Sequence, residues 1–360
     1  TSQDPEKISA MDELFYFINL ESLEAFNNEL TTIDISALTQ LSDLNLRNNN
    51  LTTITLGTAI NLTNLNLRNS ALTTIDLSDA PNLNSLLLGG NPLGTIDISD
   101  LTNVTFVDCR NCGLEEINTQ NNTSLIELSL ANNNISSIDI STNINLTNLS
   151  IENNDLDSIF IPENTSLSFL NINQNNITAI DLENRESLSF LYVGGNNISE
   201  IDASSSGLIY LHCEDNPNLT FINTNNGIIS QADPDLLDFP FVFIDLPSLE
   251  EVVIDCGEEE ALSFSGYNSD TVDVECLLSN EDFALNEIYA FPNPFTSTFT
   301  ISETDNIVTY ALYTLQGKQV LKNKSLENLR TKTLQLHSGT YLLVLTSLDN
   351  RQKVIRLIKQ

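Results

Sequence analysis

A period of twenty-one residues governs this chain. Counting from Leu125, steps of twenty-one land on Leu146, Leu167 and Leu188 in one direction and on Val104, Leu83, Leu62, Leu41 and Leu20 in the other; a step of twenty then reaches Leu208. Each anchor opens the pattern L-x-x-L-x-L-x-x-N-x-L-x-x-I-x-L, as in Leu62, Leu65, Leu67, Leu72, Ile75 and Leu77. A unit this short takes its apolar side chains from three brief segments and cannot bury them alone. Stacked copies can, so self-similarity at a fixed period specifies a solenoid whose leucines run in columns.

The pattern is that of a leucine-rich repeat, seen about ten times between residues 20 and 226. Both halves of the unit alternate apolar and polar residues, as in Leu65-Asn66-Leu67 and Thr74-Ile75-Asp76-Leu77, so extended chain is expected on both sides and a parallel sheet on the first. The expected class is mainly β, with little helix. A recurring asparagine (Asn28, Asn49, Asn91, Asn133, Asn154, Asn175, Asn196, Asn216) falls where each turn leaves the first strand, and Ser70 and Cys112 fill two missing rungs. Buried amides there would bond the backbone of adjacent turns, a structural role.

Charge divides the chain. Residues 1–282 hold 5 Lys+Arg against 44 Asp+Glu, while residues 283–360 hold 9 against 5. An acidic body of this kind repels nucleic acid and anionic membranes, and no apolar run is long enough to span a bilayer. The chain begins at Thr1 with neither an initiator Met nor an apolar leader, as removal of a leader would leave it.

Four segments follow: residues 1–19, a cap; 20–226, the repeats; 227–282, an insertion, a last turn and a closing cap; 283–360, a separate domain. In the first, Ile8, Met11, Leu14, Phe15 and Ile18 recur at helical spacing after Asp4-Pro5, with a strand through residues 14–18 as the alternative. In the third, Leu249, Val252 and Ile254 match the repeat once more, after an apolar run at residues 239–244, and the run from Glu258 reads as a solvated loop. Cys256 and Cys276 flank a polar segment and could close a disulfide. Cys109 and Cys112 form a C-x-x-C, but the register turns both inward, as packing thiols.

The last segment reads as seven short strands, including one at residues 333–336, in a small Ig-like β-sandwich. It contains Phe291-Pro292-Asn293-Pro294-Phe295, then Gln316-Gly317-Lys318 after Tyr313, then Ser338-Gly339-Thr340-Tyr341, and a basic end at Lys353, Arg356 and Lys359. In this order the motifs resemble the type A C-terminal sorting domain of the type IX secretion system of Bacteroidetes, with Phe291 where that family more often has Tyr. The resemblance marks Pro292, Asn293, Pro294, Gly317, Gly339, Tyr341 and Lys359 as the sorting motif. It implies engagement of the type IX machinery and delivery outside the outer membrane of a Gram-negative cell, and says nothing of what the repeats do there.

The repeat register also maps the outward surface. Phe169, Phe190 and Tyr210 occupy one outward position on three successive turns, with Tyr192 and His212 beside them and Phe106 further away. Such a cluster suits a protein partner or the faces of sugars, unless the segment after Asn226 folds back over it. Arg47, Arg68 and Arg110 make a second stripe that could take an anion or pair with Asp43 and Asp108. On the other side Asp34, Asp76, Asp97, Asp139, Asp181 and Asp202 share one repeat position. Local capping of backbone amides is the simpler role, shared calcium the alternative, and no cofactor is expected.

These features indicate a secreted or surface-exposed binding protein of an adhesive kind. A structural surface-layer component without a defined ligand is the alternative. Catalysis is disfavoured, since only His212 and His337 are available to a histidine-dependent site and a shallow solenoid offers no deep pocket.

Overall fold

The computed structural model describes all residues except 1–6, 163–165, 230–239, 256–257, 259–261, 263–264, 269–271, 278–287, 303–306, 316, 324, 335 and 348–351. They form two compact units. One comprises Thr1–Leu167 and Asn171–Asn176, the other Ser168–Leu170 and Ile177–Gln360. The final repeats therefore cluster with the C-terminal domain and not with the repeats before them.

In the first unit each turn contributes a three-residue strand, from Ser22–Glu24 and Asp43–Asn45 to Glu127–Ser129 and Asn148–Ser150, and successive strands pair in parallel. The register is in phase with the repeat, Leu44 against Leu65 and Leu65 against Leu86. Leu62, Leu65, Leu67, Leu72 and Leu77 are all buried, as the columns require. Each such leucine contributes about 2 kcal/mol of burial, which a turn gains only beside a neighbour.

The asparagine column is a hydrogen-bonded spine. Asn133 accepts from Cys112 N and Leu114 N at 3.0 Å and donates to Cys109 O at 2.9 Å and Leu130 O at 2.8 Å. One amide thus serves two turns. A second ladder lies beside it: Asn27, Asn48, Asn69, Asn111, Asn132 and Asn153 have φ between 53° and 58°, a region that asparagine tolerates better than most residues. Asn69 Nδ2 donates to Asn48 Oδ1 at 2.8 Å, which ties one turn to the next.

Cys109 and Cys112 are free and buried, and Cys112 takes the asparagine rung by donating to Leu88 O at 3.5 Å. The Cys112 hydrogen bond and burial push the Cys109 thiol well above its ordinary pKa. Both are packing thiols.

The N-terminal segment departs from the helix read in its sequence. Among its described residues only the 3-10 turn Leu14–Tyr16 forms, and of these Leu14 alone is buried while Ile8, Phe15, Tyr16, Phe17 and Ile18 are exposed. Ile8 instead exchanges backbone and side-chain bonds with the first turn, accepting from Glu29 N and donating to Asn28 Oδ1 at 2.9 Å. Those bonds favour extended chain there.

In the second unit Phe190–Tyr192, Tyr210–His212 and Phe241–Val242 continue the parallel arrangement. Glu200–Asp202, Phe221–Asn223, Glu251–Asp255 and Asp273–Leu277 form a parallel four-stranded sheet on the other side. Phe241–Val242 and Glu251–Asp255 are the two sides of one turn, so residues 241–244 belong to the last repeats and not to an insertion before them. Glu258 is buried, not solvated, and its Oε2 accepts from Asp255 N at 3.2 Å. Cys256, and with it the suggested disulfide to Cys276, lies outside the described residues.

The C-terminal domain is built on the antiparallel strands Ile307–Thr314, Gln319–Asn323, Gly339–Ser347 and Gln352–Lys359, with the ribbon Ala290–Phe291 and Thr300–Ile301. Among the described residues the expected strand at residues 333–336 does not form. A helix, Leu326–Thr333, runs into that segment, with Glu327 in its first turn and Leu326 and Leu329 turned to the core. Phe295, Phe299, Tyr310, Leu312, Leu343, Leu345, Ile355 and Leu357 belong to that core.

Candidate functional site

The register brings the predicted rings together. Phe190 lies opposite Tyr210 and Tyr192 opposite His212 across adjacent parallel strands. Ring centroids are 5.4 Å apart for Phe169 and Tyr192, 5.0 Å for Tyr192 and Tyr210, and 5.7 Å edge-on for Tyr192 and His212. His212 Nε2 is 3.1 Å from Glu214 Oε1, two residues past the end of the strand.

The cluster is not open to solvent as the sequence suggested. Phe190 is 0% and Phe169 8% exposed, while Tyr192, Tyr210 and His212 are half-buried. Nor is the cover the segment after Asn226 alone. Ala311, Val344 and Val354 of the C-terminal domain pack against Phe169, Phe190, Ile209 and Ile228, with Tyr313 and Leu342 at the margin. The Phe190 and Tyr313 centroids are 5.9 Å apart, and Tyr192 donates from its hydroxyl to Leu315 O at 3.4 Å. Burial raises the Tyr313 phenol above its ordinary pKa. The segment after Asn226 adds Ile228–Ile229, which pairs in parallel with Gln352 and Lys353 at the edge of the domain's sheet.

The covering residues escaped the sequence reading, although a signal for them exists. Tyr341-Leu342-Leu343-Val344-Leu345 is apolar at every position, and a strand without alternation is covered on both faces. Tyr341, Leu343 and Leu345 enter the domain's own core while Leu342 and Val344 meet the rings.

The motif residues occupy one end of that domain and the seam. Asn293 donates to Arg356 O at 2.6 Å and accepts from Ile358 N at 2.8 Å, so the Pro292-Asn293-Pro294 loop is strapped to the final strand. Lys359 Nζ donates to Thr296 O and stands 5.3 Å from the Phe295 ring centroid. Tyr341 donates to His337 O at 3.0 Å, and Gly339 lies opposite Lys359. Gly317, at φ 72°, is pressed against the rings: a Cβ there would lie 2.6 Å from Phe169 Cδ2 and 2.9 Å from Phe190 Cδ2.

The arginine stripe is broken up in the first unit. Arg68 and Arg110 both close on Asp108, which is 0% exposed; Arg110 contributes Nε to Oδ1 and Nη2 to Oδ2, each at 2.9 Å. Gly89 leaves the room, since a Cβ there would be 3.0 Å from Asp108 Oδ1. Burial works to raise the Asp108 pKa, but the Arg110 hydrogen bonds and the charges of Arg68 and Arg110 outweigh it and hold the carboxyl below its usual range. Arg47 does not reach Asp43. Its guanidinium lies 5.0 Å from the Phe26 ring centroid.

The aspartate series caps backbone. Asp34, Asp76, Asp97, Asp139, Asp181 and Asp202 each accept from the amide two residues ahead, at 2.9 to 3.0 Å. Hydrogen bonds from Ser36, Ser78, Ser99 and Ser141 lower the pKa values of Asp34, Asp76, Asp97 and Asp139. A concavity of about 530 Å³ in the second unit is lined by Asp215, Asp245, Phe243, Leu249 and Tyr267 among others, with neither histidine nor cysteine on its wall. Among the described residues no helix is long and apolar enough to cross a membrane.

Residues 289–360 match the family described as secretion system C-terminal sorting domain. Over the whole chain, the structure is similar to the functional domain of InlJ from Listeria monocytogenes, at 20% identity and a TM-score of 0.60, covering 98% of this chain and 84% of that one. The protein is a leucine-rich repeat protein with a type IX sorting tail. It is accordingly an exported protein, cell-surface or extracellular. Weaker likenesses are to internalin C2 from Listeria monocytogenes (25% identity, TM-score 0.39, 52% of this chain and 78% of that one) and to YopM from Yersinia enterocolitica (19%, 0.35, 65% and 69%). No curated protein matches the sequence. At such identities the likeness to InlJ concerns the fold alone.

Proposed function

We propose that the leucine-rich repeats of this exported protein recognise a protein or glycan outside the cell, in an adhesive role, and that the ring-bearing face of the last repeats carries that recognition. One observation supports this above the others: Phe169, Phe190, Tyr192, Tyr210 and His212 stand side by side on successive turns, where other turns place Asp43, Asn64, Ser85 or Asn148. Rings on the face of a sheet contribute large contact area at small entropic cost. The arginines are a poorer candidate, because Arg68 and Arg110 already neutralise Asp108.

The sorting tail supplies the address. Its domain boundary, near residue 283, is part of the same proposal, as is the assignment of residues 20–226 to recognition. The test is binding of the full chain to arrays of extracellular-matrix proteins and of glycans, alongside the Phe190→Ala/Tyr192→Ala variant. Binding lost in the variant supports the ring face, and unchanged binding removes it.

A further inference from the structure

The tail's sheet is apolar on both sides. Tyr310, Leu312, Leu343, Leu345, Ile355 and Leu357 face its own core, and the alternate residues Ala311, Tyr313, Leu342, Val344 and Val354 face the rings. A sheet with two apolar faces needs two covers, since a contiguous bare patch of that kind invites association. The repeats provide the second cover.

Three further contacts fit the two surfaces to one another. Gly317 has no space for a Cβ above Phe169 and Phe190. The Tyr192 hydroxyl finds an acceptor in Leu315 O. Ile228–Ile229 extends the tail's sheet by one parallel strand and so occupies the edge at Gln352–Lys359. The occupant of the rings is therefore on display: an aliphatic β-sheet face with one backbone acceptor.

We infer that the ring face is a seat for the aliphatic face of a β-sheet, held in the intact chain by the protein's own tail, and that an external protein ligand of the same character reaches it only when the tail undocks. This rests on the ring-face reading of function and narrows it from protein or glycan to protein. Tail and ligand compete for Phe169, Phe190 and Tyr192. The intact chain is consequently masked at the surface with which it binds.

The seat is tested without a ligand. A site-specific protease sequence is inserted after residue 283 in the full chain, the chain is cut, and the two pieces are followed by gel filtration at micromolar concentration. Co-elution is expected for the wild type and separation for Val344→Asp, which puts a charge against the rings. Separation of the wild-type pieces would overturn the seat. Should Val344→Asp not fold, Gly317→Trp replaces it; the chain has no other tryptophan, so blue-shifted emission matching a buried indole would count against undocking.

Competition is read on the matrix-protein array with uncut chains. Binding by Val344→Asp should exceed that of the wild type by about tenfold or more and vanish when Phe190→Ala/Tyr192→Ala is added. Equal binding by wild type and Val344→Asp, sensitive to ring removal in both, overturns the masking and leaves the ring-face function standing. Binding insensitive to ring removal overturns that function itself. A signal from Val344→Asp on glycans alone overturns the choice of a protein sheet.

Discussion

The same outward position tells two different stories in the two units. In the first it is held by Asp43, Asn64, Ser85, Glu127 and Asn148 and by a single ring, Phe106, all half-buried or exposed, with contacts such as Asn64 Nδ2 to Asp43 Oδ1 at 2.7 Å. In the second it is held by Phe169, Phe190 and Tyr210, and a separate sheet lies on it. The backbone does not distinguish them, since both use three-residue parallel strands in phase with the repeat. Hydrogen bonding and the inward leucines build the scaffold, and rings on successive turns, not a lone ring such as Phe106, go with a covering sheet.

Substitution at that position should separate the two cases most sharply. Phe190→Ala removes a ring that is 0% exposed and leaves a cavity between two sheets, so a loss of about 3–5 kcal/mol is expected. Asn148→Ala, on a turn of the first unit, should change stability by less than about 0.5 kcal/mol. Denaturant unfolding of the two variants against the wild type measures the contrast. A similar small loss for both would mean that the second sheet contributes nothing at Phe190.

The spine should not distinguish the units, and so provides a control. Asn133 in the first and Asn196 in the second bond the backbone in the same way, Asn196 accepting from Ile177 N at 3.0 Å and donating to Val193 O at 2.9 Å. Replacing either by Ala strands buried amides and carbonyls, at a cost of about 2–3 kcal/mol. Hydrogen exchange should show the loss first at Cys112 and Leu114 for Asn133→Ala, and at Ile177 for Asn196→Ala. A loss confined to one unit would mean that the spine is not equivalent along the repeats.

These differences explain what was legible in the sequence. A fixed period needs only counting, so the columns, the asparagine rungs and the proximity of the rings followed from register. The cover did not, because Phe190 and Val344 are far apart along the chain and no local pattern names a partner. The unbroken apolar run at residues 341–345 announced that a second face is covered without saying by what. The helix Leu326–Thr333 was not legible because the spacing of Leu326 and Leu329, which suits a helix, is too short a pattern to announce one beside the β-branched Thr331 and Thr333, where a strand at residues 333–336 is the natural expectation. Asp108 shows another limit. Pairing with Asp108 was readable, but Arg68 on one turn and Asp108 with Arg110 on another had to be read with the gap at Gly89 before that carboxylate emerged as buried between two arginines.

The smallest expected effect sits at the edge of the covering sheet, where pH can probe it. Lys353 lies between Leu345 and Ile229 across paired strands, is 0% exposed, and its Nζ has no hydrogen-bond partner among the described residues. Burial disfavours the ammonium and lowers its pKa to about 8, from an ordinary 10.5. Below pH 8 both folded and unfolded chains carry the charge, and the folded state bears the full cost of burying it. Between about pH 8 and 10.5 the unfolded chain binds more protons, so this group makes stability rise with pH, and the rise ends once both forms are neutral. Lys353→Met keeps the length of the side chain without the charge. It should abolish that rise and stabilise the protein near neutral pH by about 1–2 kcal/mol, as measured by denaturant unfolding at several pH values from 7 to 10. An unchanged slope would show that the ammonium reaches water in the folded chain, and that the edge beside Ile229 is open enough to admit it.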